Sequence, residues 1–84
     1  MKKMLNVGYG NYVNVDKIQA IVDFDSAPIR RTVNSAKKAG FAIDATMGSK
    51  TKSVIFLSDG NIVCSAVVNE TLAKRFDANN KKMI

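Results

Sequence analysis

The sequence predicts an α+β domain with a mostly antiparallel sheet, whose elements follow in the order β-β-β-α-β-β-β-α. Three observations support this prediction. Short segments rich in β-branched residues alternate with tight turns, which is typical of strands with one buried face. The stretch from Ala27 to Ala39 has the apolar spacing of an amphipathic helix, and a shorter helical stretch runs from Glu70 to about Phe76. The predicted domain spans residues 1–77, and we expect the polar tail, residues 78–84, to fray.

Three strands are predicted before the first helix. Met4 to Val7 is followed by the turn Gly8-Tyr9-Gly10-Asn11, and the alternating segment Tyr12 to Val15 forms the second strand. Ile18 to Val22 forms the third, with Lys17 at its start as either a solvated turn residue or part of a basic surface. Gly-x-Gly also occurs in nucleotide-binding loops, but the third glycine and the helix that this motif requires are missing. The glycines are therefore interpreted as a tight turn between strands.

The first helix has a recognisable start and stop. Ser26 is a good N-cap, Pro28 suits the first turn, and Gly40 suits a left-handed stop. At about 100° per residue, one side of this helix is apolar: Ile29, Val33, Ala36 and Ala39. Another side collects Arg30, Arg31, Asn34, Lys37 and Lys38. This polar stripe contains no acid, so its unpaired cations should repel one another, and an anionic partner would relieve that repulsion. A plain solvated face is the alternative.

A basic turn lies between the next two predicted strands, Phe41 to Thr46 and Ser53 to Leu57. Its sequence, Gly48-Ser49-Lys50-Thr51-Lys52, differs from a Walker loop because the first glycine is missing and no helix follows. It is better interpreted as a turn that offers lysines and hydroxyls to phosphates: Ser49, Lys50, Thr51 and Lys52. Residues 26–52 hold six cations against the single acid Asp44, which predicts a polyanion-binding surface, above all for DNA.

The remaining elements are a hairpin and the second helix. An Asp-Gly turn leads into the last predicted strand, Ile62 to Val68, in which Cys64 is predicted to be a buried and inert thiol. Asn69 is predicted to cap the second helix. Leu72 and Phe76 lie one turn apart on that helix, so we expect them to face the core or a neighbouring subunit.

Composition limits the chemistry and the partners. The 84 residues carry a net charge of +6, which favours anionic partners such as nucleic acid. With no histidine and one cysteine, neither an internal disulfide nor a His/Cys metal site can form, and we expect no cofactor and no metal. A chain this small gains little stability from its own core, so self-association is expected. Without an apolar run long enough for a membrane span or a secretion signal, the prediction is a cytoplasmic protein.

Catalysis is not predicted. Asp23 and Asp25 could be proposed as a carboxylate pair, but neither a histidine nor a metal-ligand cluster accompanies them. Both acids lie where the third strand ends and the first helix starts. Asp25 there suits the positive end of the helix dipole.

Four fragments, in the same order and spacing, resemble the extracellular matrix regulatory protein family, that is, RemA and its relatives. These fragments are Asn6 to Asn11, Ser26 to Arg31, Ile43 to Thr46 and Ser65 to Val67. The resemblance extends from about Asn6 to Phe76, which is nearly the whole chain.

The resemblance implies a transcriptional regulator of biofilm-matrix genes that binds double-stranded DNA in the cytoplasm, at the nucleoid. It also implies a fold similar to LytTR-type DNA-binding domains and a ring-shaped homo-oligomer that repeats one basic surface. The principal DNA-contacting element of the family maps onto Gly48 to Lys52. The expected DNA-binding residues are therefore Lys50, Lys52, Ser49 and Thr51, joined by Lys17, Arg30, Arg31 and Lys37. Arg30 and Arg31 could equally serve a subunit interface.

The chain departs from the family pattern at several of these positions. Ser49 stands where the first arginine of the family's turn is usual, and lysines occupy positions 50 and 52. Lys17 likewise replaces a common arginine, and Met47 replaces an aromatic residue. Lysine binds phosphate as a point charge, whereas the planar fork of arginine suits bidentate recognition. Backbone binding should therefore persist, but the sequence preference of this turn does not follow from the resemblance.

Two alternatives to duplex binding stay open. A module for RNA or single strands would need exposed aromatic platforms, and the two tyrosines, Tyr9 and Tyr12, are far in sequence from the basic stretch. A structural interaction subunit, whose charge only aids solubility, would not bind nucleic acid at moderate salt.

Overall fold

The computed structural model describes residues 3–81, and the elements in this range follow the predicted order. The strands are β1 (Met4–Gly8), β2 (Asn11–Asn14), β3 (Ile18–Asp23), β4 (Ala42–Asp44), β5 (Ser53–Leu57) and β6 (Ile62–Ser65). The helices are α1 (Ala27–Ala39), α2 (Asn69–Lys81) and a short 3-10 helix, Val15–Lys17. The α+β class is therefore confirmed. Within residues 3–81, no helix is long and apolar enough to cross a membrane.

The strands form two sheets. Strands β1 and β2 make an antiparallel hairpin, and the other four strands form a sheet in the order β3-β5-β6-β4. The β3–β5 and β5–β6 pairs are antiparallel, whereas β4 runs parallel to β6. In the described range, every strand pair is antiparallel as predicted except β4–β6. The chain enters β4, the edge strand, directly from α1.

The two faces of the four-stranded sheet carry separate apolar clusters. Because side chains alternate along a strand, Val54 and Cys64 face α1, where they pack with Val33. Ile55 on the opposite face packs with Leu72 of α2 and with residues of β1. Burial of each large side chain is worth about 1.5–3 kcal/mol. The predicted burial of Cys64 and the inward position of Leu72 are thus confirmed.

Strands β4 and β6 are shorter than predicted, because local hydrogen bonds replace hydrogen bonds to the neighbouring strand. β4 ends at Asp44 since the Thr46 N–H donates to Asp44 Oδ1 at 2.9 Å. It begins after Phe41, whose N–H is engaged by the Ala36 carbonyl at the end of α1. β6 ends at Ser65, where the side-chain Oγ, and not a strand partner, accepts the Val67 N–H at 3.0 Å.

The second strand and the second helix also differ from their predicted bounds. β2 ends at Asn14, whose side chain accepts the Asp16 N–H and so starts the 3-10 helix. Asn69 lies inside α2 and does not cap it, because the Val68 carbonyl accepts the Leu72 N–H. The predicted end of the second helix at about Phe76 is wrong, because α2 continues to Lys81 without a glycine or proline to stop it. Fraying of the tail, residues 78–84, stays a prediction. Residues 82–84 lie outside the described range.

Candidate nucleic-acid interface

The basic turn, defined as Gly48 to Lys52, begins with a tight reversal of the backbone. The Ser49 N–H donates to the Thr46 carbonyl at 2.9 Å. Between these residues, Met47 has a φ of 53° and Gly48 a φ of 82°, so both adopt the left-handed conformation. For a residue with a side chain, this conformation costs about 1–2 kcal/mol. The turn therefore needs support from its surroundings.

Part of that support comes from a carboxylate just before the turn. Asp44 Oδ1 accepts both the Thr46 N–H at 2.9 Å and the Thr46 hydroxyl at 2.6 Å, and Thr46 is buried. The Thr46 hydroxyl is the main reason that the pKa of the Asp44 carboxyl lies below its usual value. The Thr46 N–H and the positive charge of Lys37 lower that pKa further. An ionised Asp44 thus fixes the entry to the basic turn.

The other end of the basic turn is tied to two strands of the sheet. The Lys52 N–H donates to the Ser65 carbonyl at 2.9 Å, and the Lys52 carbonyl accepts the Phe24 N–H at 3.1 Å. Its backbone thus bridges the ends of β6 and β3, while its side chain is exposed. Lys50 is exposed as well. The turn consequently presents both ammonium groups to solvent from an anchored backbone.

The hairpin of β1 and β2 contacts the basic turn. The hydroxyls of Tyr9 and Ser49 lie 2.8 Å apart and share a hydrogen bond. Asn11 Nδ2 donates to the Gly8 carbonyl at 3.0 Å and, at 3.4 Å, to the carbonyl of Ala45. Tyr9 is far from the basic stretch in sequence, but the fold brings its hydroxyl into contact with the basic turn. No local pattern in the sequence marks a contact between residues 40 positions apart.

A groove of about 630 Å³ brings the basic turn to the start of α1. We call it the mixed-charge groove, because both cations and acids line it. Its cationic and hydroxyl lining consists of Arg30, Lys50, Thr51 and Lys52. Its acids are Asp23, Asp25 and Glu70. Four of the predicted DNA-binding residues therefore share one surface, but this surface is not purely positive.

Arg30 is engaged within the mixed-charge groove. Its guanidinium forms an ion pair with Asp25, and it lies 5.9 Å from the centre of the Phe24 ring. The prediction of an acid-free stripe of unpaired cations on α1 is therefore wrong at Arg30, because the partner comes from the loop before the helix. Ser26 occupies the N-cap position but makes no side-chain cap hydrogen bond. An exposed pair of this kind is worth at most about 1 kcal/mol, so a phosphate can replace the Asp25 carboxylate.

The other three predicted cations lie outside the lining of the mixed-charge groove. Lys17 lines an apolar groove together with residues of β2. The pKa of the Asp59 carboxyl is lowered mainly by the Asn61 N–H, and the positive charge of Lys17 lowers it slightly further. Lys37 lies in the last turn of α1, where its charge suits the helix dipole. Arg31 is exposed on α1.

The described residues offer little to a metal or to nucleophilic chemistry. Between residues 3 and 81, no group of three or more potential metal ligands is present. Burial raises the pKa of the Cys64 thiol, which disfavours the reactive thiolate. Asp23 Oδ1 accepts the Asp25 N–H at 2.9 Å, so this pair of acids shapes the turn before α1.

Comparison with known proteins places the chain among bacterial regulators. Residues 4–76 match the RemA-like family, described as "Extracellular matrix regulatory protein A-like". A Bacillus cytotoxicus protein named "Putative regulatory protein" is 48% identical over 80 residues, which cover 95% of this chain and 90% of the relative. Relatives with the same description from Bacillus mycoides and Bacillus cereus have the same identity and coverage.

Proposed function

Since this chain belongs to the RemA-like family of regulatory proteins, we propose that it regulates transcription by binding double-stranded DNA through the basic turn. The observation that carries the proposal is the exposure of Lys50 and Lys52 on a backbone anchored at both ends. In duplex binding, lysines contribute mainly through phosphates, and the released counterions supply much of the affinity. Arg30, on the same groove, would add a third phosphate contact after leaving Asp25.

One subunit presents too few cations for strong binding, so the proposal includes self-association. Exposed apolar side chains lie along β2 and at the β4 edge of the sheet: Tyr12, Phe41 and Ile43. A ring of subunits would cover such surfaces and repeat the basic turn, and the affinity of each weak contact would multiply through avidity. Light scattering would test this, and a strict monomer with and without DNA would contradict it.

The proposal also includes the regulated genes and the cellular location that the family resemblance implies. We propose that the regulated genes include those for the extracellular matrix and that the protein associates with the nucleoid. The similarity to LytTR-type DNA-binding domains and a non-enzymatic role remain predictions of the same resemblance. They are supported by the α+β element order and by a family description that names regulation.

Fluorescence anisotropy with a labelled duplex at several salt concentrations tests the proposal. Log K should fall against log salt with a slope of about −0.9 for each phosphate neutralised. Lys50→Ala should weaken binding to every duplex and make the slope shallower. Lys74→Ala on α2 removes the same charge from an exposed position outside the basic turn, so it serves as the matched control. Salt-independent binding by the unmodified protein would contradict the proposal.

Binding to single strands is a second candidate, and one observation favours it. Tyr9 is 55% exposed, and its hydroxyl contacts the basic turn, which places an aromatic residue beside the lysines. Stacking of a base on an aromatic ring is worth about 1–3 kcal/mol. Competition between a duplex and an unlabelled single strand of equal length decides between the two. Displacement of the duplex by a smaller amount of single strand would favour this candidate.

A further inference from the structure

We propose that Tyr9 and Asn11 are positioning residues for DNA binding, through which the β1–β2 hairpin holds the basic turn in its binding conformation. The inference rests on the proposed function, because it assumes that the basic turn contacts the phosphates. It assigns a role to a hairpin that carries no candidate cation of its own between Met4 and Asn14.

The hairpin has an unusual shape that directs Tyr9 toward the basic turn. Three consecutive residues have left-handed backbones, with φ of 103° at Gly8, 53° at Tyr9 and 78° at Gly10. A Cβ on Gly8 would lie 3.0 Å from Val67 Cγ2, so the hairpin is seated tightly on the segment that follows β6. A tyrosine in the left-handed conformation is unfavourable by itself. The fold maintains that conformation at the one residue whose hydroxyl reaches Ser49.

The hairpin contacts the chain on both sides of the tight reversal, which the hydrogen bond between Thr46 and Ser49 closes. Asn11 donates to the Ala45 carbonyl, immediately before the reversal, and to the carbonyl of Gly8 in its own turn. Tyr9 shares a hydrogen bond with Ser49, immediately after the reversal. The hairpin itself is fixed to the sheet, because the Ser65 hydroxyl donates to the Val7 carbonyl at 2.8 Å. Both ends of the reversal are thus connected to a rigid element.

The reversal depends on such external contacts. The Met47 side chain is 72% exposed, so little packing holds this residue in its left-handed conformation. Lys50 follows directly after Ser49, and a change in the Ser49 backbone would move the Lys50 ammonium group. Loss of the contact with Tyr9 should therefore reduce the fraction of molecules whose turn is ready to bind, and the apparent affinity should fall by the same factor.

The decisive variant is Tyr9→Phe, which keeps the ring and removes only the hydroxyl. We expect duplex affinity to fall about 3- to 10-fold, the range typical for one lost hydrogen bond. The salt slope should stay unchanged, because no phosphate contact is removed. Thr32→Val is the control, since it removes an exposed hydroxyl on α1 that bonds the Pro28 carbonyl and lies outside the hairpin. Thermal unfolding of both variants shows whether either has lost its fold.

A double-mutant cycle separates positioning from direct contact. If the two hydroxyls act through each other, Tyr9→Phe and Ser49→Ala together should weaken binding no more than either alone. If each hydroxyl contacts DNA independently, the two effects should add. Additive losses, or a salt slope that becomes shallower in Tyr9→Phe, would overturn the positioning role.

A measurement without DNA distinguishes failure of the positioning role from failure of the proposed function. In the free protein, Tyr9→Phe and Asn11→Ala should each shift the amide resonances of Ser49 and Lys50 and speed their hydrogen exchange. Thr32→Val should leave the resonances and the exchange rates of Ser49 and Lys50 unchanged. Should Lys50→Ala leave DNA affinity unaltered, DNA binding by the turn fails, whereas these resonances still report whether the hairpin positions it. Unchanged Ser49 and Lys50 resonances in Tyr9→Phe would overturn the inference.

Discussion

Helix α1 and the basic turn both carry clustered cations, yet different parts of the chain determine their conformations. The helix is determined locally: Pro28 lies in its first turn, and Gly40 ends it with a φ of 84°. Its apolar side packs against the sheet through Ile29 and Val33. Each feature lies within the helix or next to it in sequence. Its cations project from a scaffold that needs no remote residue to form its backbone hydrogen bonds.

The basic turn is determined by neighbouring residues at its entry and by remote residues at its reversal and exit. Its entry is held by Asp44 and Thr46, its reversal by the contacts of Tyr9 and Asn11, and its exit by the backbone of β3 and β6. Positive charge alone therefore does not define the site. The position of the cations on α1 does not depend on the hairpin. The position of the lysines on the basic turn does depend on contacts with remote residues. We therefore expect perturbations of the two regions to have different consequences.

The largest expected effect comes from the apolar side of α1. Val33→Ala should lower the free energy of unfolding by about 2 kcal/mol, because it removes two buried methyl groups and leaves a cavity beside Val54. Urea unfolding measures this change. Asn34→Ala, on the exposed side of the same helix, is the control and should change stability little. A loss below about 0.5 kcal/mol would contradict the packing described for α1.

Removal of a hydroxyl distinguishes the turn from the helix more directly. Thr46→Val should destabilise the fold by about 1 kcal/mol, since it deletes the buried donor to Asp44. It should also raise the pKa of the Asp44 carboxyl and weaken duplex binding. Thr32→Val removes a hydroxyl that bonds the Pro28 carbonyl at 3.0 Å on exposed α1, and should have little effect. Urea unfolding and NMR titration of Asp44 provide the measurements. Equal effects of Thr46→Val and Thr32→Val would contradict the expected difference between the basic turn and α1.

The mixed-charge groove gives a prediction of the opposite sign. Asp25→Asn should strengthen duplex binding about 2- to 5-fold, because Arg30 loses its acidic partner and becomes available for a phosphate. Asp77→Asn removes the same charge from α2, away from the lining of this groove, and serves as control in the same anisotropy assay. Weaker binding by Asp25→Asn would show that Asp25 orients Arg30 and does not compete with DNA.

The smallest expected effect is the pH dependence contributed by Asp44. Its pKa is lowered in the folded state, so its contribution to stability is complete above the unfolded value of about 3.9. This contribution is lost as pH falls through the folded pKa. The difference in unfolding free energy between the unmodified protein and Asp44→Asn should therefore narrow below about pH 4. Denaturant titrations at neutral and acidic pH measure it, and a widening difference would contradict the assigned hydrogen bonds.

The features predicted correctly from the sequence are those with local causes. The bounds of α1, its stop at Gly40 and the order of the strands follow from periodicity and from turn residues. The burial of Cys64 and Leu72 follows from their apolar surroundings in sequence. The lysines of the basic turn could also be identified from the sequence, so they could be proposed as a nucleic-acid-binding site.

The features that were missed depend on tertiary contacts or on side chains that compete with the backbone. The ends of β4 and β6 are set by Asp44 and Ser65, whose side chains replace ladder hydrogen bonds. Arg30 was expected to be unpaired, because its partner Asp25 lies outside the helical stripe. The contact between Tyr9 and Ser49 needs the whole fold to bring two turns together. Of these, Asp25 was within reach of sequence reasoning, as it lies five residues from Arg30.

The salt dependence of duplex binding by two double variants tests most directly whether the basic turn, and not the last turn of α1, carries the phosphate contacts. One variant combines Lys50→Ala with Lys52→Ala, and the other combines Lys37→Ala with Lys38→Ala on α1. We expect the slope to become shallower by about 1.8 for each bound subunit in the turn variant and to stay close to the original in the helix variant. An unchanged slope in the turn variant, or an equal change in both, would show that the basic turn does not carry the phosphate contacts.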